Sequence, residues 1–343
     1  RDADQPIHFL DNCSRLAGCR HMEHWLIRPD SPGQEHQPLL EHARRWPGAI
    51  YLNLGQDPGL YETWNLGCCL ARGRYLSNAN VDDVRHRDHV ATLHALLEGA
   101  PAADAASAAL RVTAVANQNW RDWRPGRMFY CDGEDDEVYP VSVLIRRGPN
   151  GALAPHNRPH CMPLWRRALH LFNGFFNERE YGPSADWEFW LRCGSAGSRF
   201  VRTPRPLGMY LEYSQSYWHR EGDAGGYNQR ILARYGALAR EGRLPKAMHP
   251  PAWRDLSRFL SAGNWLGVMI ALLRLHAQRP AGEKSNGSPV DRRARQLFGV
   301  ELPNACERLR AVLSNASGTE MRLERLESVL VDLLRAFCAA QGD

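Results

Sequence analysis

Two stretches of the chain place carboxylates where they could act on a substrate. In "YLSNANVDD", residues 75–83, an apolar pair runs into small polar residues and ends on Asp82 and Asp83. Adjacent carboxylates at the end of a strand repel each other unless something cationic lies near them. Hard cations such as Mg2+ and Mn2+ take carboxylate and phosphate oxygens together, so this pair could hold a metal that neutralises a diphosphate. Read locally, the same aspartates could instead cap the helix that follows. The second stretch is "GFFNEREYGPSADWEFWLR", residues 174–192, with Asp186 at the start of a helical pattern. A carboxylate held there could take the proton of a hydroxyl, whose pKa lies far above 7. Here too a cap is the competing reading, because Ser184 and Asp186 could both serve as one.

These residues need elements to hold them. Phe9, Leu10, Cys13 and Leu16 share one face of a helix expected over 8–20. Trp25 to Ile27 reads as a buried strand, stopped by Pro29, Asp30, Ser31, Pro32 and Gly33. A helix over 35–46 and a strand "AIYLNL" follow, then a helix "GLYETWNLGCCLARG" closed by Gly73. "YLSNANVDD" is the third strand, and residues 86–98 are the next helix. Strands alternating with helices predict a doubly wound, mostly parallel α/β sheet, in which ligands bind outside the carboxyl ends of the strands. Asp82 and Asp83 occupy such an end.

Residues 100–109 read as a small-residue connection before a strand "LRVTAVANQ". "VYPVSVLIR" reads as one strand and "PLWRRALHLFNGFF" as one helix. "SADWEFWLRCGSAG" is a helix closed by Gly194 or Gly197, and "RFVRTPRPLGMYLEY" a strand, a turn and a strand. His156, His160 and His170 have a spacing that fits no compact metal site, so they read as ordinary loop or helix surface. Beyond about residue 245 the patterns are helical, which divides the chain into a domain 1–245 and a helical extension 246–343. An amphipathic helix within 252–277 buries its apolar face on the domain or lies on a membrane surface. Leu323, Leu326, Leu330, Leu333 and Phe337 are spaced as a helical stripe.

The net charge is +5, with arginine far ahead of lysine. That suits anionic ligands such as nucleotide diphosphates, or an acidic membrane surface, and is too weak and scattered to argue for nucleic acid. Nine cysteines, an odd number without a C-x-x-C pair, read as reduced thiols in a cytoplasmic protein. No segment has the ~20 apolar residues that cross a bilayer. The chain begins on Arg1 rather than Met, which is expected of a piece of a longer protein or a trimmed chain.

The stretch "NLGCCLARGRYLSNANVDD" resembles the donor-binding segment of family 2 glycosyltransferases, which are inverting enzymes with the GT-A fold. Asn65, Gly67, Ala71, Arg72, Gly73, Arg74 and Tyr75 match the family pattern in order. Asn80 departs from it, standing where the first Asp of an Asp-x-Asp is usual. "LIRPDSPGQ" resembles the family's second strand and its Asp-Asp-x-Ser loop, with Pro29 in place of the first Asp. "GFFNEREYGPSADWEFWLR" resembles the acceptor segment, with Ala185 in place of the more common Glu. The resemblance covers roughly residues 8–220.

It implies a nucleotide-sugar donor, a glycan or lipid-linked acceptor such as those of bacterial polysaccharide synthesis, and a divalent metal, Mn2+ or Mg2+. It also implies donor contacts at Asp30, Ser31, Asn65, Arg72, Asn80 and Asp82, and metal ligands at Asp82 and Asp83. His219 or Arg220 would touch the diphosphate. Asp186 would be the general base, one base facing away from the leaving group, with inversion as the outcome. Trp187 and Glu188 would face the acceptor. The implied setting is cytoplasmic, with peripheral contact at the inner face of the membrane. The family's first strand should precede "RDADQPIHFLDN", so an edge is expected beside "HWLI".

The alternative is a non-catalytic GT-A module that binds or assembles within a larger protein, favoured by the departures at Pro29, Asn80 and Ala185. A nucleotidyltransferase would need a glycine-rich phosphate loop near the N-terminus, and none is visible.

Overall fold

The computed structural model describes residues 5–29, 36–54, 57–123, 127–129, 137–213, 225–241 and 321–322. In chain order the elements are α1 (Gln5–Ser14), β1 (His24–Arg28), α2 (His36–Arg45), β2 (Ala49–Asn53), α3 (Leu60–Leu70), β3 (Tyr75–Leu76), β4 (Val84–Arg85), α4 (His89–Gly99) and β5 (Ala105–Thr113). There follow β6 (Met128–Phe129), β7 (Glu137–Tyr139), β8 (Ile145–Arg147), β9 (Leu153–Pro155), β10 (Leu164–Arg166) and α5 (Ala168–Asn173). The last are α6 (Glu178–Tyr181), α7 (Ala185–Ser195), β11 (Phe200–Leu211), α8 (Tyr227–Glu241) and β12 (Met321–Arg322). They form two compact units, one of residues 1–22, 73–169 and 175–249, the other of 23–72, 170–174 and 250–343.

The second unit is a parallel sheet in the order β1-β2-β12. Ala49, Ile50, Tyr51 and Leu52 are all buried, as expected of a strand covered on both faces. α2 packs on β2, and α3 on β1. The close approach of α3 needs Gly67, where an added Cβ would sit 3.4 Å from Ile27 Cδ1. Among the described residues β1 is an outer strand, so the edge expected beside "HWLI" is present. Met321–Arg322, inside a stretch expected to be helical, instead extends the sheet beside Leu52 and Asn53. The rest of the expected extension, the amphipathic helix within 252–277 and the boundary at 245 lie outside the described residues.

The first unit holds a seven-stranded sheet ordered β3-β10-β5-β11-β4, with β6 on β5 and β7 on β11. β5 and β11 run parallel along their whole length, while the short flanking strands pair antiparallel. The long ladders are thus the parallel ones, and the class is α/β as expected. Residues 105–109, expected as a connection, are the buried start of β5. Their small side chains let α4 approach, so Ala106 and Ala108 pack with Leu93, Leu97, Leu164, Val201 and Leu207. Leu93 and Leu97 are fully buried, worth about 1.5–3 kcal/mol each.

Three other expectations are corrected by local chemistry. "VYPVSVLIR" breaks at Pro140, which has no N–H for a ladder, into β7, a 3-10 turn Val141–Leu144 and β8. "PLWRRALHLFNGFF" opens as strand β10, where Leu164 and Trp165 pair with Ala106 and Ala105, before α5 begins. "RFVRTPRPLGMYLEY" stays a single strand, with the register shifting around Pro206 where a turn was expected.

α7 is the core of this unit, buried from Ala185 to Gly194. Gly194 admits the 3-10 turn, since an added Cβ would lie 2.3 Å from Val141 Cβ. Gly197 ends the helix region with φ +103°, which favours glycine.

Candidate functional site

Asp186 stands on the first turn of α7, where the unpaired N–H groups favour an anion. It is 9% exposed. Its Oδ1 accepts a hydrogen bond from the Trp187 N–H (2.8 Å), and its Oδ2 accepts one from Asn157 Nδ2 (2.8 Å). His160 Nδ1 lies 3.8 Å from the same Oδ2. The His160 ring meets Tyr210 edge-on, with centroids 5.0 Å apart. Of the two residues that could cap this helix, only Asp186 holds an N–H of its first turn. Ser184 makes no cap bond, and its hydroxyl donates to Asn228 Oδ1 (2.9 Å).

The other carboxylates lie in the same unit. β3 ends at Leu76, earlier than expected, because the following residues bond elsewhere. Asn78 Nδ2 donates to the Cys161 carbonyl (2.9 Å), and the buried Arg85 guanidinium donates to the Asn78 carbonyl. The chain then turns through Asn80–Asp83. α4 begins at His89 with Asp88 at its N-cap, so neither Asp82 nor Asp83 caps it.

Asp83 is 3% exposed and directed inward. Its Oδ2 accepts from Asn80 Nδ2 (2.9 Å), and its Oδ1 from the Leu211 N–H at the end of β11 (3.3 Å). Burial, then the negative charge of Asp82, push its carboxyl up to about 6. Asp82 is partly exposed and interacts electrostatically with Asp83 and Tyr210. The departure at Asn80 therefore has a visible consequence: its amide occupies an oxygen of Asp83.

The two residues expected to face an acceptor do other work. Trp187 is 2% exposed, and its Nε1 donates to the Leu144 carbonyl (2.8 Å). Glu188 is 1% exposed; its carboxylate accepts from Arg192 Nη2 (2.9 Å) and the Tyr235 hydroxyl (2.8 Å). Both side chains are turned into the core of the unit.

In the second unit Asn65 is fully buried on α3, its amide 3.4 Å from Glu62 Oε2. Arg72 is exposed and paired with Glu23, whose carboxylate accepts from both its Nε (3.0 Å) and its backbone N–H (2.9 Å). Asp30, Ser31, His219 and Arg220 lie outside the described residues.

The histidines expected as surface divide. His156 and His170 are buried, with Nδ1 2.9 Å from the Val143 and Gly174 carbonyls. His160 is part-buried beside Asp186. Asn157, His160 and Tyr210 were not singled out as site residues from sequence, because two sit in an irregular loop and the third reads as strand.

Among the described residues no three His, Cys, Asp or Glu side chains come together as a metal cage. The donor set fits a divalent cation that brings phosphate and water oxygens with it and takes one carboxylate from the chain. Of Asp82 and Asp83, Asp82 is the more accessible, being partly exposed where Asp83 is 3% exposed. Among the described residues no helix is long and apolar enough to cross a membrane.

No family model and no curated protein matches the sequence. Solved structures do. The chain is similar to S. aureus TarS residues 1–349 in complex with UDP-GlcNAc, with a TM-score of 0.50 and 14% identity over 91% of this chain and 85% of that one. It is also similar to the mannosyltransferase PcManGT from Pyrobaculum calidifontis in complex with GDP-Man and Mn2+, with a TM-score of 0.49 and 14% identity over 97% and 83%. At such identities it is the fold that is shared, and that fold is a glycosyltransferase fold.

Proposed function

We propose that this chain is an inverting, family 2 type glycosyltransferase. It would move a sugar from a nucleotide-diphosphate donor to a hydroxyl of a glycan or lipid-linked acceptor, on the cytoplasmic side of a membrane. The observation that carries the reading is Asp186: a carboxylate on a helix N-terminus, with both oxygens held, in the unit that also contains the Asn80–Asp83 turn. Supporting it, TarS shares the fold and has been solved with UDP-GlcNAc.

In this reading the acceptor hydroxyl gives its proton to Asp186 as its oxygen attacks the anomeric carbon, and the bond to the diphosphate oxygen breaks. A single base opposite the leaving group makes this a direct displacement with inversion. A divalent cation, when bound, offsets charge on the departing diphosphate, and Asp82 would hold it. Arg72, Asp30 and Ser31 are the proposed donor contacts.

The non-catalytic module remains a second reading, favoured by one observation: Asp83, expected as a metal ligand, is 3% exposed and directed inward. Calorimetric titration of UDP-GlcNAc and GDP-mannose with and without Mn2+ separates the two. The enzyme reading expects Mn2+-dependent binding of at least one donor, and binding of neither supports the module.

A further inference from the structure

The geometry points to His160, together with Asn157, as the positioning device that registers Asp186 against the Asn80–Asp83 turn. The inference rests on the reading of Asp186 as base. Residues 156–162 connect β9 to β10 without regular structure, yet their backbone is pinned at several points. The His156 N–H donates to the Leu144 carbonyl (3.1 Å), and Asn78 Nδ2 donates to the Cys161 carbonyl (2.9 Å). The Met162 carbonyl lies 2.9 Å from His89 Nε2, on α4. The segment is therefore a fixed platform, anchored to the 3-10 turn, to the residues after β3 and to α4.

Two side chains of this platform reach the same oxygen. Asn157 Nδ2 donates to Asp186 Oδ2 at 2.8 Å, and His160 Nδ1 lies 3.8 Å from it. His160 is also linked to the other carboxylate centre through its neighbour on β11. Tyr210, next to the Leu211 N–H that holds Asp83, meets the His160 ring edge-on. His160 thus stands beside Asp186 directly and is tied to the Asp83 end of the site through Tyr210 and the strand that carries Leu211.

Direct displacement gives this arrangement a purpose. The base and the leaving-group end must keep their separation, and a misplacement of about 1 Å can cost ~100-fold in rate. Left alone, a side chain on the first turn of a helix can exchange between staggered rotamers. The Trp187 N–H fixes Oδ1, and the loop fixes Oδ2.

The test compares crystal structures and steady-state kinetics of the unaltered chain, His160→Ala, Asn157→Ala and His160→Gln. The expected structures show the Asp186 carboxylate displaced by about 1 Å, or split between rotamers, in both alanine variants. An Asp186 that keeps its place in both overturns the inference, whatever the kinetics. Turnover is followed with UDP-GlcNAc and GDP-mannose in the presence of Mn2+. The alanine variants should lose ~100-fold in kcat with KM for the donor unchanged, and His160→Gln should recover most of it. A rise in KM at constant kcat also overturns it. Asp186→Asn is measured alongside. If that variant turns over normally, the assignment of the base has failed, while the crystal structures still decide whether His160 and Asn157 position it.

Discussion

The helix that carries Asp186 depends on a buried ion pair, and the size of that dependence can be worked out. Glu188 and Arg192 are 1% and 0% exposed. The carboxylate accepts from Arg192 Nε (3.1 Å) and Nη2 (2.9 Å) and from the Tyr235 hydroxyl on α8 (2.8 Å). Arg192 Nη2 also donates to the Phe175 carbonyl (2.7 Å). Glu188→Gln keeps the shape and an acceptor for Tyr235, but leaves a guanidinium buried without its counter-charge. Breaking such a pair costs about 3–5 kcal/mol. With a urea dependence of about 2 kcal/mol per molar, the unfolding midpoint should fall by roughly 1.5–2.5 M. Tryptophan fluorescence can follow this, because Trp165, Trp187 and Trp190 are each 2% exposed in the same unit. Replacing the whole network tests the reasoning. Glu188→Met, Arg192→Met and Tyr235→Phe together remove both charges and the hydroxyl, leaving the Phe175 carbonyl short of one donor, which costs about 1–3 kcal/mol. Exchanging a buried pair for packed apolar groups is neutral or favourable. The triple variant should therefore regain about 2 kcal/mol or more over Glu188→Gln. A triple variant that unfolds at the same urea concentration as the single one would refute the account.

Two further predictions concern the same unit. Gly208 lies where β11 passes Met162, and an added Cβ would sit 2.4 Å from Met162 Cε and 2.6 Å from Leu110 Cδ2. Gly208→Ala should therefore lower stability by about 1–3 kcal/mol in the same urea assay. His89 is fully buried, with its ring nitrogens 2.9 Å from the Leu207 and Met162 carbonyls. Burial, with the nearby Arg85 charge, lowers its pKa from 6.5 to about 4 despite those carbonyls. Between pH 6.5 and 4 the unfolded chain then binds more protons, so His89 makes stability fall as pH falls. The full effect is on the order of 3 kcal/mol. Asp83, whose carboxyl is raised to about 6, acts in the opposite sense across pH 4–6. The quantity to measure is therefore the difference between the unaltered chain and His89→Gln, which should shift by about 3 kcal/mol in favour of the variant as pH falls from 6.5 to 4.

The sequence shows where the chemistry sits better than it shows how the site is walled. Asp186 is legible because a helix pattern places it on a first turn, and "SADWEFWLR" has a helical period throughout. β1, β2 and α7 are legible for the same reason: apolar runs of adequate length bounded by glycine, proline or polar residues. Trp187 and Glu188 mislead because aromatic and charged residues near a base suggest ligand contact. Their burial is set by an Arg192 one turn away and a Tyr235 far along the chain, which no local pattern reports. The spacing of Glu188 and Arg192, four residues apart, was the available signal for an ion pair. The start of β5, Ala105–Ala109, and the short strand Leu164–Arg166 escape because they have too few branched residues to read as strand. His160 and Asn157 escape because a loop has no period. Only the polar side chains of "HNRPHC", closed in by prolines ahead of a buried strand, hinted that this loop is pinned.

The central claim is that Asp186 is the base of a sugar transfer. It is tested most directly by measuring transfer and nucleotide binding side by side for the unaltered chain and Asp186→Asn, using whichever of UDP-GlcNAc and GDP-mannose binds. A carboxamide keeps the shape and cannot accept the acceptor proton, so transfer should fall by about 100-fold or more, within the range that general-base catalysis contributes, while the donor affinity is unchanged. Normal transfer by Asp186→Asn, with the donor bound as before, would contradict the account.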